Sequence, residues 1–168
     1  VSMQPVETTL TLSDSTSVDV EGLLFGGAGL TAFAGLSPGT ASQSGLELQN
    51  VTFGLAVLQE KLAPGAPLGT VAQEWNALDA TTGLAQFTGA GSLTIGASSV
   101  SVTINPRSAN GSLIDFSATN LAVPTGIGSE VLLSMDSEDG ELLKASGSFT
   151  IDIFDFVQAS GSLAFEKS

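Results

Sequence analysis

The chain has no cysteine, no histidine and no tyrosine, a single tryptophan, and four lysines and arginines against 17 aspartates and glutamates in 168 residues. Each absence removes a chemistry. Without cysteine there is no disulfide, no thiolate nucleophile and no thiolate-held zinc or iron–sulfur cluster. Without histidine there is no Ser-His-Asp triad and no imidazole metal ligand. A formal net charge of -13 with so few cations argues against nucleic acid and anionic membrane surfaces as partners. No apolar run approaches the ~20 residues of a membrane-spanning helix. The opening Val1-Ser2-Met3-Gln4-Pro5 has neither the basic nor the apolar part of a secretory leader and does not begin with Met, so the chain reads as a mature product or a segment of a longer polypeptide. The function expected from this inventory is non-enzymatic.

What is present is apolar and small. Mean hydropathy is +0.35 with only 12% charged residues, 20 glycines and nine phenylalanines. An acidic, lysine-poor surface stays soluble in salt, where its self-repulsion is screened, so the composition points to an extracellular or cell-surface setting. The length fits one domain spanning 1–168.

Period two, the strand signature, dominates. It runs through Val18 and Val20, Leu46 and Leu48, Val51 to Val57, Leu93 and Ile95, Val100 to Ile104, and Phe149 to Ile153. Inside these runs the apolar parity flips: at Glu21-Gly22, at Gln49-Asn50, within Gly96 to Ser99, and between Ile153 and Phe154. One flat strand cannot flip, because a one-residue slip turns every side chain to the other face. Bulges or bends are therefore expected there, where small or turn-prone residues sit. The fold class predicted is all-β: an elongated single domain of long, bent, mostly antiparallel strands, sandwich- or barrel-like, with a β-solenoid as the alternative. Pro106 to Gly111 with its Asn-Gly pair, and Ser137-Glu138-Asp139-Gly140, read as hairpin turns. One short helix is a candidate over Val71 to Ala80, from Val71, Trp75 and Leu78 at i, i+4 and i+7; an extended segment anchored by Trp75 is the other reading. Loops are expected at Ser37 to Ser44 and at Lys61 to Gly69.

Gly45, Gly91, Gly147 and Gly161 each open a run of alternating apolar residues, at irregular spacing. Together with the stretches 46–56, 75–83, 145–149 and 160–168, this resembles the β-rich modules of very large, tandemly repeated bacterial surface or secreted proteins of the adhesin type. The resemblance implies adhesion or envelope structure, one repeat unit or filament subunit, and no catalytic residues.

Candidate sites are few. Asp136-Ser137-Glu138-Asp139-Gly140-Glu141 is the densest acidic cluster, and Asp136, Glu138, Asp139 and Glu141 form the calcium candidate, since hard cations take several carboxylates; a solvated turn is the competing reading. Asp14, Asp19 and Glu21 form a looser cluster. Asp152 and Asp155 read as solvent-side strand residues rather than a hydrolytic pair. Trp75 with Phe53 or Phe87 is either a sugar-stacking platform for surface glycans or, more in keeping with a lone tryptophan, core. Gly26-Gly27-Ala28-Gly29 and Gly89-Ala90-Gly91 lack the Lys and Ser/Thr of a phosphate loop and read as bends. A β-groove carrying lipid is a further alternative, from the high hydropathy. Uncharged strand faces, in segments such as Leu93 to Ile104 and Phe149 to Phe156, suggest pairing with copies of the chain or neighbouring repeats through sheet edges. Leu84 to Asn110 holds no acidic residue while Glu130 to Asp155 holds seven, which marks that neutral middle as a contact surface.

Overall fold

A computed structural model describes residues 1–40, 42–89, 93–153 and 157–167. The period-two segments become nine strands: β1 (Ser2–Thr11), β2 (Ser17–Leu36), β3 (Ser44–Glu60), β4 (Glu74–Thr88), β5 (Leu93–Asn105), β6 (Leu121–Gly126), β7 (Ser129–Leu133), β8 (Leu142–Ile153) and β9 (Val157–Lys167). Seven of them form one antiparallel sheet in the order β1-β2-β3-β4-β5-β8-β9, and β6 and β7 pair as a separate hairpin. The all-β expectation holds, and so do the long antiparallel strands; β2 alone has 20 residues. The sheet is not closed into a barrel, so β1 and β9 are its edges. Each strand of the sheet pairs antiparallel with the next, which rules out a solenoid, whose successive coils stack in parallel.

The core occupies one end of the sheet. After Asn105 the chain leaves the sheet, crosses one face through residues 106–120, and returns as the β6–β7 hairpin over the same face. Leu10 of β1, Val18, Val20 and Leu24 of β2, Ala56 and Leu58 of β3, and Trp75 and Ala77 of β4 face this cover. Ile114, Phe116, Val123 and Leu133 meet them from above and are wholly buried. At about 1.5–3 kcal/mol per fully buried large side chain, this cluster is the main apolar stabilisation on the covered face. Its polar groups are satisfied: the buried Asn105 amide donates to the Ile114 carbonyl at 2.9 Å, and Trp75 Nε1 donates to the Ser112 carbonyl at 3.3 Å. Close approach demands glycine at two positions of the sheet. A Cβ on Gly26 would lie 2.1 Å from the Pro124 carbonyl oxygen, and one on Gly54 would lie 2.9 Å from Val131 Cβ.

Several expectations are corrected. Val71 to Ala80 is not a helix: Val71 is exposed in a loop, and from Glu74 onward the chain is β4, with Trp75 and Leu78 on opposite faces. Pro106 to Gly111 and Ser137 to Gly140 are not hairpin turns within the sheet, because each connects it to the β6–β7 hairpin. The flip at Glu21-Gly22 involves no bulge, since β1–β2 and β2–β3 pairing runs unbroken through it; here both faces of β2 are apolar. The segments β5 and β8 are not edges either, as each is paired on both sides. The fourth flip, at Phe154, lies outside the described residues, as does Asp155.

Candidate functional site

The remaining flips have a shared structural basis. Gly29 (φ 64°), Asn50 (φ 54°) and Ser99 (φ 53°) adopt the left-handed conformation, which single residues use at bulges. Register links them: Asn50 lies opposite Gly83, between the pairs Gln49–Leu84 and Thr52–Thr81, and Ser99 lies on the other side of Gly83. Gly29 sits in the irregularity that joins Gly27–Phe53 to Leu30–Val51, and Ser99 in the one between Ser98 and Ser101. A seam of reversed parity therefore crosses β2, β3, β4 and β5 at one level. Beyond Ser99, the extra residue in β5 is absorbed opposite Gly147 of β8, and β8 and β9 keep their parity.

The seam keeps one face of the sheet apolar along its full length. On the face away from the hairpin, β2 presents Leu23 and Phe25 before the seam and Leu30, Ala34 and Leu36 after it. β3 presents Val57, Leu55 and Phe53, then Leu48 and Leu46. β4 presents Leu78 and Ala80, then Ala85 and Phe87; β5 presents Ile104 and Val102, then Ala97 and Ile95. β8 and β9 add Ala145, Phe149, Leu163 and Phe165. Contacts across the seam agree with this: a Cβ on Gly27 would meet both Leu30 Cδ1 and Phe53 Cε1, and one on Gly147 would meet Val100 Cγ2. The opposite face past the hairpin is more polar, with Glu47, Gln49, Gln86, Ser98, Thr150 and Ser162 beside Phe33 and Leu84, and Glu47 accepts from Gln43 and Gln49.

The apolar face is open. Met3, Leu23, Leu36, Leu46, Val57, Phe87, Ile95, Leu143, Leu163 and Phe165 are each 40% exposed or more. At about 200 Å² for a fully exposed large side chain, these ten add to roughly 1,000 Å², above the few hundred that a soluble surface ordinarily shows in one patch. Two shallow cavities lie on it. One of about 720 Å³ is lined by Pro5, Glu7, Glu21, Leu23, Val57 and Glu74 at the hairpin end; the other, of about 290 Å³, is lined by Ala97, Val100, Phe149, Leu163 and Phe165. Among the described residues of this face, charge collects at the hairpin end, where Glu7 pairs with Lys61 and stands opposite Glu21 in the β1–β2 register. The acid-free middle, Leu84 to Asn110, supplies the β5 part of this surface and the β4 part past the seam.

The residues singled out from sequence go elsewhere. Asp136 caps a short 3-10 turn, Ser137–Asp139, its carboxylate accepting from Glu138 N at 2.8 Å, and Glu138, Asp139 and Glu141 are exposed. Among the described residues, no group of three acidic side chains is placed to hold a metal ion. Asp14 accepts from the Thr16 hydroxyl and amide at the β1–β2 turn, and these bonds hold its carboxyl below the usual range. Asp19 accepts from Thr9 at 2.6 Å, so the looser cluster does not converge. Asp152 accepts from Gln158 at 3.0 Å on the polar face. Trp75 is 2% exposed and belongs to the core, which removes it as a sugar platform.

Two carboxylates lie closer to the packed parts. Partial burial pushes Asp79 up, against the lowering effect of a Thr103 hydroxyl at 3.4 Å. Burial also pushes on Asp115, but hydrogen bonds from Ser117, Ala118 and Ser137 outweigh it and hold this group below its ordinary value. Asp115 thereby fixes the turn that carries the buried Phe116. No family model, curated protein or solved structure matches the chain.

Proposed function

We propose that the chain is a non-enzymatic structural or adhesive module of an extracellular surface assembly, a repeat unit or filament subunit that works by associating with copies of itself or with neighbouring repeats. The observation that carries this reading is the open apolar face, which the seam of left-handed residues keeps on one side of the whole sheet. A face of this size is costly to leave in water and is suited to contact. The side chains around it are aliphatic, aromatic and small, which serves a durable sheet rather than a reaction. The edge strand β9 adds a second route: residues 158–165 are uncharged and exposed, a template for strand addition.

Light scattering across a concentration series, with negative-stain electron microscopy, tests this. Defined dimers, higher oligomers or filaments are expected. A strictly monomeric chain at high concentration, in salt and in calcium, would refute it. The same face also favours a second reading, lipid carriage: Phe149, Leu163 and Phe165 line an apolar depression of a size for an acyl chain. Saturable binding of a fluorescent fatty acid by a monomer would support that reading over assembly.

A further inference from the structure

We propose that two copies of this chain pair face to face through their open apolar sheets, ends reversed, to make a two-layer β-sandwich; this rests on the assembly reading above and names its contact surface. Three observations carry it. First, the described residues cover the sheet at one end of one face only, whereas sheets ordinarily bury an apolar face against a second layer about 10 Å away. Second, the exposed apolar area, roughly 1,000 Å² from its most exposed side chains, exceeds the ~800 Å² per partner of a standard stable interface. The surface is also self-complementary in kind, as a two-fold contact requires.

Third, the charge distribution selects the orientation. At the hairpin end the face carries Glu7, Asp19, Glu21 and Glu74, with Lys61 nearby and Lys167 of β9 opposite Leu143 as its cations. At the other end, past the seam, the described residues of this face carry no charge. Stacking two hairpin ends would oppose two surfaces that each carry four carboxylates against two lysines, and like net charges facing one another across an interface are disfavoured. A two-fold axis running across the strands places each acidic end over or beyond the neutral end of the partner, where the carboxylates stay at the solvated rim. The apolar centres, including Phe53, Val102 and Phe149, then meet.

The absence of cysteine makes the test direct, because a single introduced cysteine is a unique label. Light scattering on Val57→Lys and Ile95→Lys should show at least about tenfold weaker dimerisation than wild type, the result of burying an unpaired charge. Ser160→Lys with Ser162→Lys on the β9 edge should leave the dimer unchanged. Far-UV circular dichroism and Trp75 emission establish that each variant is folded. Spin labels on Val57→Cys and Ile95→Cys supply a second measurement. Mixed Val57/Ile95 labels should give the shorter distance between copies, and Ile95/Ile95 labels the longer one. A dimer weakened by the edge lysines but not by the face lysines overturns the face pairing and leaves the assembly reading standing. A short Ile95/Ile95 distance overturns the reversed orientation. A wild-type chain that is monomeric throughout, whether or not it binds phosphatidylcholine vesicles, overturns both.

Discussion

Gly26→Ala tests how the hairpin seats on the sheet. Gly26 lies in β2 on the covered face, and its φ is not in the left-handed region, so alanine carries no backbone penalty there. The obstacle is contact alone. The added methyl carbon would sit 2.1 Å from the Pro124 carbonyl oxygen and 2.9 Å from its carbon. Both are backbone atoms of β6, which cannot rotate aside, so the hairpin must lift by more than 1 Å. Lifting exposes parts of Val123 and Leu133, both wholly buried, and each fully buried aliphatic side chain is worth about 1.5–3 kcal/mol. Overpacking alone costs about 1–3 kcal/mol. The expected loss is about 3–5 kcal/mol. Gly54→Ala is the comparison, because there the nearest atoms are the Val131 and Val123 Cβ atoms at 2.9–3.0 Å, an overlap that asks the hairpin to shift by only about half as much; a smaller loss of about 1–2 kcal/mol is expected. Urea titration followed by the emission of Trp75, the single tryptophan and a member of this core, reads both variants. A Gly26→Ala loss under about 1 kcal/mol, or a larger loss for Gly54→Ala, would refute the seating of β6 on β2.

Four further outcomes follow from the geometry. Asp79 and Asp115 should act on pH stability with opposite signs. The raised pKa of Asp79 means a stabilising contribution present below its unfolded pKa and lost as pH rises through the folded one, so Asp79→Asn should stabilise near neutrality and lose that advantage in acid. The lowered pKa of Asp115 means stability present above its unfolded pKa and lost as pH falls through the folded one, so Asp115→Asn should destabilise near neutrality and converge with wild type in acid; urea midpoints against pH check both. Hydrogen exchange should be slowest at Val18 to Leu24, Ala56 to Leu58 and Trp75 to Ala77, and faster past the seam at Ala32 to Leu36 and Ala85 to Phe87, where none of the described residues forms a layer over either face; uniform protection in a monomer would contradict this. Ser99→Gly should raise stability by up to about 1 kcal/mol by relieving the left-handed residue, measured by thermal melting. Asp136→Ala should cost about 1 kcal/mol through the lost cap while Asp136→Asn is nearly neutral; a calcium-raised Tm that Asp139→Asn abolishes would instead give the acidic turn a metal role.

Much of the fold was legible because period two is a local property. The parity flips at Asn50 and within Gly96 to Ser99 were legible for the same reason, and both became left-handed residues of the seam. Strand order was not, since alternation says which face a residue takes and nothing about its neighbour. That is why β5 and β8 read as edges when they are internal. The Asn-Gly and Asp-Gly turns misled because the same local chemistry serves a chain leaving the sheet and a chain turning back into it. The helix over Val71 to Ala80 rested on three apolar residues at helical spacing, one of which lies in a loop. Trp75 was legible as core from its isolation and size. The open face was visible only in fragments, because recognising it requires knowing that the flips align across four neighbouring strands.

That alignment bears on function more than any single side chain. A parity flip in one strand alone would turn its apolar residues into the polar face and break the surface. Four strands reversing at one level instead keep Leu46, Phe87 and Ile95 beside one another, on the side that Leu55, Leu78 and Ile104 occupy before the seam. The arrangement has a cost: Asn50 and Ser99 sit where an L-residue is disfavoured by about 1–2 kcal/mol, and the register irregularities leave backbone groups outside the regular ladder. Within a single copy the reward is small, because the residues so aligned remain 40% or more exposed at Leu46, Phe87 and Ile95. Burial by a second layer would return the full transfer free energy of those side chains, about 25 cal/mol per Å² removed from water. The seam is thus stabilising chiefly in a covered state. The same reasoning makes Asn50→Gly informative: it relieves the left-handed residue without removing a side chain from the apolar face, so it should stabilise monomer and assembly alike, whereas Ile95→Lys should weaken the assembly and leave the monomer's urea midpoint nearly unchanged. Equal loss in both states for Ile95→Lys would mean that the face is already serving the single copy, and the case for a second layer would fall.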